Sequence, residues 1–217
     1  MTTTVPAGVL AALLPPDVRC AEAFGALDVG RLHPSEAAYI RDRSPRRRQQ
    51  FTTARTLARR ALAELGHPPT PLLPGPGGAP QWPSGAAGSI THTDGYTACA
   101  VTSTGRHLSL GIDAEAVRPL PHGVLELVSS AEERRGLDGL PVGTTPWDTV
   151  LFSAKEAVYK AVHPLTRTWT ALAAIVVAVH ADGTFTAAHP HHPVLGTGRW
   201  GVRRGVLITA LALPPTG

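Results

Sequence analysis

The sequence predicts an α+β protein made of two similar halves that meet near residue 111. Two observations carry this. Helical hydrophobic spacing comes first and strand-like runs follow, and that order occurs twice along the chain. The one long Gly/Pro-rich stretch, residues 66–88, is too short and too interrupted for a domain linker. With 217 residues, 43% of them hydrophobic, the chain can bury a core in one large domain or two small ones. The halves are taken as residues 1–110 and 111–217 of one integrated unit, without any sequence repeat between them.

Residues 1–30 carry Pro15, Pro16 and scattered hydrophobics, and read as an extended lead-in. His33-Pro34-Ser35-Glu36 opens a short helix through about Ile40. Ser44-Pro45 reads as an N-cap with proline at the first helical position. The helix that follows, Arg46 to Leu65, stops at Gly66, and Ala54, Leu57, Ala58, Ala61, Leu62 and Leu65 recur along it at helical spacing. Tyr96 to Thr102 and Leu108 to Asp113 read as strands joined by the turn Ser103-Thr104-Gly105-Arg106. In the second half, short helices are expected near Pro121–Val128 and Ser130–Gly136. A longer helix starts at Thr145-Pro146 and ends around Val162, before Pro164. Ala171 to Val179, Thr184 to His189 and Arg199 to Leu213 read as strands, with a turn at Asp182-Gly183.

The formal net charge of +4 favours anionic partners but does not choose among nucleic acid, phosphate-rich cofactors and acidic proteins. Aromatics are only 5%, and Phe51 alone lies near the arginine cluster, which argues against nucleic acid. Cys20 and Cys99 form neither a disulfide framework nor a metal spacing, so a reducing, cytoplasmic setting is expected. The apolar stretch Val9 to Leu14 is short and lacks a positive flank, a poor signal peptide, and no run approaches a membrane span.

Four segments could carry chemistry. In Gly111-Ile112-Asp113-Ala114-Glu115, at the end of an apolar strand, Asp113 and Glu115 point to one face and repel unless a cation lies between them. Hard carboxylate oxygens there suit Mg²⁺; the plain alternative is a solvated strand end. In Phe152-Ser153-Ala154-Lys155-Glu156-Ala157-Val158-Tyr159-Lys160, the positions Trp147, Leu151, Ala154, Val158 and Ala161 form a buried stripe. Glu156 and Lys160 lie on the face away from it, as an ordinary surface pair or as a metal ligand and a phosphate contact. Gly88 through Tyr96, with Thr91 and His92, offers small residues and hydroxyls beside a histidine just before a strand, a phosphate cradle or a structural loop. Arg47 or Arg48 shares a helix face with Arg55, and guanidinium forks suit phosphate oxygens; the alternative is a solvated helix start. Lys155 and Lys160 are the only lysines in an arginine-rich chain. His189-Pro190-His191-His192 fits no metal-ligand spacing and reads as a loop.

In this order, together with Ala79-Pro80-Gln81-Trp82-Pro83 to Gly85, these segments resemble the phosphopantetheinyl transferase superfamily. The match is to the enterobactin-synthetase type that serves siderophore, polyketide and nonribosomal peptide synthesis, over about residues 35–165. GIDAE and FSAKEAVYK are its most specific pair. The resemblance implies two α+β halves in pseudo-twofold arrangement with coenzyme A in the cleft between them. It implies transfer of the 4'-phosphopantetheine group to a serine of an acyl or peptidyl carrier protein, with release of 3',5'-ADP. Asp113, Glu115 and Glu156 would hold Mg²⁺. Arg47 or Arg48, Arg55, the loop Gly75-Pro76-Gly77-Gly78, Thr91, His92, Asp113 and Lys160 would contact coenzyme A. Glu156 would take the serine proton, with Lys155 assisting. Where a basic residue is common in the loop, this chain has Gly77-Gly78, which shifts the 3'-phosphate onto the arginines and His92. A monomer acting without membrane or nucleic acid is expected. The rival readings are a Mg²⁺-dependent nucleotide phosphohydrolase and a noncatalytic coenzyme A-binding protein.

Overall fold

A computed structural model describes residues 8–25, 27, 30–192 and 195–215. The elements are, in order, α1 (Val9–Leu13), β1 (Arg19–Phe24), α2 (Pro34–Ile40), α3 (Pro45–Glu64), β2 (Ala86–Thr93), β3 (Tyr96–Ser103), β4 (Ser109–Ala116), α4 (Val124–Val128), α5 (Ala131–Asp138), α6 (Trp147–Thr166), β5 (Val176–Val179), β6 (Thr184–Ala188), β7 (Thr197–Arg203) and β8 (Val206–Leu213). They form an α+β fold with two antiparallel sheets, one ordered β1-β3-β2 and the other β4-β8-β7-β6-β5.

Each sheet carries one 20-residue helix. Helix α3 starts where Ser44 accepts a hydrogen bond from the Arg47 amide and Pro45 fills the first turn. Its apolar stripe, Leu57, Ala58, Ala61 and Leu62, packs with Cys99 and Val101 of β3. Helix α6 buries Val150, Leu151, Ala154, Val158 and Ala161 with Leu207 and Leu211 of β8. Trp147, at its start, is only partly buried and lies edge-on to Trp200.

The two sheets adjoin at β2 and β4. No backbone ladder joins these strands; side chains do. The Ile112 amide donates to Ser89 Oγ at 3.1 Å and Thr91 Oγ1 donates to Asp113 at 3.4 Å. Polar residues on β2 therefore serve as the join between sheets.

Several expectations change. The lead-in is not extended throughout: α1 buries Leu10 against the second sheet and β1 pairs with β3, while residues 1–7, 26, 28 and 29 lie outside the described residues. Strands β3 and β4 flank their turn but belong to different sheets. Gly88 to Thr93 lies within β2, not in a loop before a strand; Ser89 and Thr91 face the seam, whereas Gly88 lies against Trp82 and Val101 on the other face. Helix α6 runs past Pro164 to Thr166, where Arg167, with φ of 53°, closes the end through its amide to His163 O. Only Val176–Val179 of the stretch from Ala171 is strand; Leu172–Ala174 is a 3-10 turn. The run Arg199 to Leu213 is a hairpin, turned at Arg204-Gly205, both with positive φ. Among the described residues, no helix is long and apolar enough to cross a membrane.

Candidate active site at the seam between the sheets

Asp113 lies on β4 where the sheets meet, and its carboxylate is held from several sides. Lys160 Nζ donates to Oδ1 at 2.6 Å and to the Ile112 carbonyl at 3.2 Å. Ser153 Oγ donates to Oδ2 at 2.9 Å, and Thr91 approaches Oδ1 from β2. Ser153 is in turn fixed by Thr209 of β8, whose hydroxyl lies 2.9 Å from both Ser153 Oγ and Ser153 O. One helix, α6, thus supplies the serine and the lysine that orient this acid. They lie seven residues apart, so both face β4.

Glu115 and Glu156 share the electrostatic field of Asp113. Burial, reinforced by Asp113 and then Glu156, pushes Glu115 up to about 7, against the pull of Lys160. Burial and Asp113 likewise raise Glu156, again opposed by Lys160. A buried Asp113 with two half-buried glutamates whose charge it penalises suits a cation of more than one charge and hard-oxygen preference, which is the chemistry of Mg²⁺. Among the described residues no three His, Cys, Asp or Glu side chains stand at metal-ligand spacing; Lys160 occupies Asp113 Oδ1.

Two cavities adjoin this cluster. One, of about 230 Å³, is lined by Glu156, Lys160, Tyr159, His163 and Trp82 under the glycines Gly77 and Gly78. The second, of about 220 Å³, is lined by Arg47, Arg55, His92, Tyr39 and Phe51. Gly78, Pro80 and Ile90 wall both, so the two form one groove. Arg47 donates to His92 Nε2 at 3.2 Å. A guanidinium only donates, so this ring nitrogen is the acceptor and the imidazole is neutral. Burial, then the Arg47 charge, holds His92 below the ordinary histidine range. Arg55 stacks on Phe51 at 4.2 Å and donates Nε to Leu72 O at 2.6 Å. Burial lowers its guanidinium to about 10, opposed by Glu36. Gly77, with φ of 74°, passes so close to His163 that a Cβ would lie 2.8 Å from the ring.

The two arginines left open above are placed differently. Arg47 lines it, whereas Arg48 turns back to the Arg41 carbonyl. Gly75 and Pro76 form the shoulder of the loop, where the Gly75 amide donates to Ala79 O. Thr91 faces Asp113, not the groove. Lys155 does not join the cluster. Its fully buried ammonium is 2.7 Å from Glu133 and donates to the carbonyls of Leu172 and Ile175. Its place on the helix, 100° from Glu156, turns it into the core, so a part in proton transfer is replaced by a structural one. His189 and His192 form a backbone bridge and a tight turn. Sequence reasoning passed over Ser153, Thr209, Tyr159 and His163. Ser153 and Tyr159 sat within a flagged segment, but only their contacts across the fold reveal what they do.

Comparison with known proteins follows the same division of the chain. Residues 35–102 match the family described as 4'-phosphopantetheinyl transferase N-terminal domain, and residues 109–203 match the 4'-phosphopantetheinyl transferase superfamily. The chain is 45% identical to the 4'-phosphopantetheinyl transferase Svp of Streptomyces mobaraensis, over 94% of this chain and 89% of that protein. It is 37% identical to the 4'-phosphopantetheinyl transferase PptT of Mycobacterium tuberculosis, over 97% of this chain and 98% of the relative. Enterobactin synthase component D of Salmonella typhimurium is 35% identical over 56% of this chain and 51% of its own length.

Proposed function

The chain belongs to the 4'-phosphopantetheinyl transferase superfamily, and from that membership we propose that it transfers 4'-phosphopantetheine from coenzyme A to a serine of an apo acyl or peptidyl carrier protein. It is a transferase of the holo-[acyl-carrier-protein] synthase type, serving polyketide, nonribosomal peptide or siderophore synthesis as a cytoplasmic monomer. The observation that carries this is the buried Asp113 held by Lys160, with Glu115 and Glu156 beside it at raised proton affinity, next to a groove lined by Arg47, Arg55 and His92.

Coenzyme A lies in the groove with its phosphorylated nucleotide end toward Arg47, Arg55 and His92, where forked donors meet phosphate oxygens. The glycines at 77 and 78 let the backbone approach the nucleotide closely. Asp113, Glu115 and Glu156 are the residues that would hold Mg²⁺, and a bound Mg²⁺ neutralises charge on the diphosphate. Lys160 leaves Asp113 to meet the diphosphate with its ammonium. The carrier serine Oγ forms a bond to the β-phosphorus as the bond to the leaving 3',5'-ADP oxygen breaks. Glu156, whose proton affinity is raised by burial and Asp113, accepts the serine proton. A basic protein surface steers acidic carriers toward this mouth.

Incubating the protein, coenzyme A and Mg²⁺ with an apo carrier should add the mass of one phosphopantetheine to the carrier. Asp113→Ala and Glu156→Ala should each abolish that gain while remaining folded by circular dichroism. Near-normal transfer by either variant overturns the metal assignment. Loss of coenzyme A without any carrier points instead to a phosphohydrolase.

A further inference from the structure

We propose that Glu36 and Arg59, outside the groove, form a buried clamp that sets the glycine loop and Arg55 for coenzyme A binding. Glu36 is fully buried, yet its carboxylate accepts four hydrogen bonds from three groups. Arg59 Nη1 lies 2.9 and 2.8 Å from its two oxygens, the Leu72 amide donates to Oε1 at 2.8 Å, and the His33 amide donates to Oε2 at 3.0 Å. The last of these is an N-terminal cap of α2. The other contacts reach from α2 to α3 and to the start of the loop.

Leu72 anchors one end of the loop. Glu36 takes its N–H, Arg55 Nε gives to its carbonyl, and its side chain is fully buried. Beyond Leu72 the chain closes on itself: the Gln81 amide donates to Leu73 O, Pro74 bridges Pro80, and Gly75 pairs with Ala79. The loop that presents Gly77 and Gly78 is thus a small self-bonded lobe. No regular ladder holds it to either sheet: one end is held at the Leu72 peptide and the other by Trp82, which packs on the core of α3 and β3. The same peptide fixes Arg55 by its Nε, leaving the rest of the fork for the groove that Arg55 lines. A buried carboxylate is costly unless paired and hydrogen-bonded; this one is paired with Arg59 and accepts one of its four hydrogen bonds from the loop stem at Leu72. Glu36 and Arg59 touch no substrate; they are positioning residues.

This inference rests on the proposed transfer reaction, so the experiment separates the two. Three proteins are compared: wild type, the double variant Glu36→Leu with Arg59→Met, and the double variant Glu36→Gln with Arg59→Met. Replacing both charges with apolar groups avoids an unpaired buried charge and preserves the fold. Leucine leaves the Leu72 amide without an acceptor, whereas glutamine restores an oxygen to it. The readouts are KM and kcat for carrier modification, the Kd of coenzyme A by calorimetry, and thermal unfolding. The leucine variant should raise KM and Kd about tenfold with kcat changed less than about threefold. The glutamine variant should return both to within about threefold of wild type. A wild-type Kd in the leucine variant overturns the clamp, as does an equal defect in the two variants. An inactive wild type that still binds coenzyme A overturns the transfer reading and leaves the clamp to be judged on Kd alone.

Discussion

Asp113 is the most constrained acid in the site, and its constraint predicts what its neighbours do. Ser153 is fully buried and spends its only proton on Oδ2, while Thr209 lies against its oxygen. Ser153→Ala strips Oδ2 of this donor in a site that water cannot easily enter. The variant should lose about 1–3 kcal/mol of stability by urea unfolding. It should also need more Mg²⁺ for half-maximal transfer, because the carboxylate is no longer oriented. Unchanged Mg²⁺ dependence would reduce Ser153 to a packing residue. A second buried group, His189, lies outside the site, and its effect is on acid stability. Burial first, then the charges of His191 and His192, holds its imidazole below the ordinary histidine value of 6.5. Its Nδ1 accepts from the His191 amide at 3.2 Å, which requires that nitrogen to be unprotonated. Above pH 6.5 the ring is neutral in both folded and unfolded chains, and the full stability is present. As pH falls below 6.5 the unfolded chain takes the proton first, so stability declines until the folded-state value is passed. In His189→Asn, whose side-chain oxygen can keep the amide bond, the thermal midpoint should fall less between pH 7.5 and 5 than in wild type.

The pairing of α6 with β4 turns these residues into a site, and one glycine permits it. A Cβ on Gly111 would lie 1.8 Å from Ala157 O and 2.9 Å from Ala161 N, both backbone atoms that cannot swing away. Gly111→Ala must push α6 off the strand, separating Lys160 and Ser153 from Asp113. We expect more than about 3 kcal/mol of destabilisation by chemical unfolding and a loss of transfer beyond what the unfolded fraction explains. The elements themselves were largely legible beforehand. The cap Ser44-Pro45 and the stripe of α3 are local signals, and so are the stripe of α6 and the alternation at GIDAE. The carboxylate trio followed from two motifs whose order was distinctive. What stayed hidden was non-local. Residues 88–93 look like a loop because Gly88 disfavours a strand and Asp94-Gly95 marks a turn, although Ile90, Thr91 and Thr93 favour one; the segment is the edge of a sheet whose polar side chains join the next sheet. Strand β1 has no alternation to announce it, since all six residues are half-buried. The family resemblance gives Lys155 a part beside Glu156, and only the position of Glu133 on α5 shows that its ammonium turns inward. Glu36 is an ordinary helix-start glutamate until Arg59 and Leu72 arrive from α3 and the loop.

Across the whole chain, the cleft belongs to neither half alone. The first sheet comes from residues before 104 and the second from residues after 108, so a boundary between residues 103 and 109 divides the strands cleanly. It does not divide the core. Leu10 and Leu14, from the N-terminal side, pack in one cluster with Leu110, Ile112, Val206 and Ile208 of the second sheet. The same cluster takes in Tyr96, Ala98 and Ala100 of β3, and Ser89 and Thr91 bond across to β4. A half expressed alone would leave this shared apolar surface in water and orphan the seam's hydrogen bonds. We therefore expect the two halves to behave as one cooperative unit. Calorimetry of the intact protein should give a single transition whose van't Hoff and calorimetric enthalpies agree. Fragments 1–106 and 107–217 should each fail to unfold cooperatively, yet should regain transfer activity when produced together, because the cut falls in the exposed turn after β3. Two resolved transitions, or a first fragment that melts sharply by itself, would mean that the halves are independent domains and that the clustering of Leu10 with the second sheet contributes little.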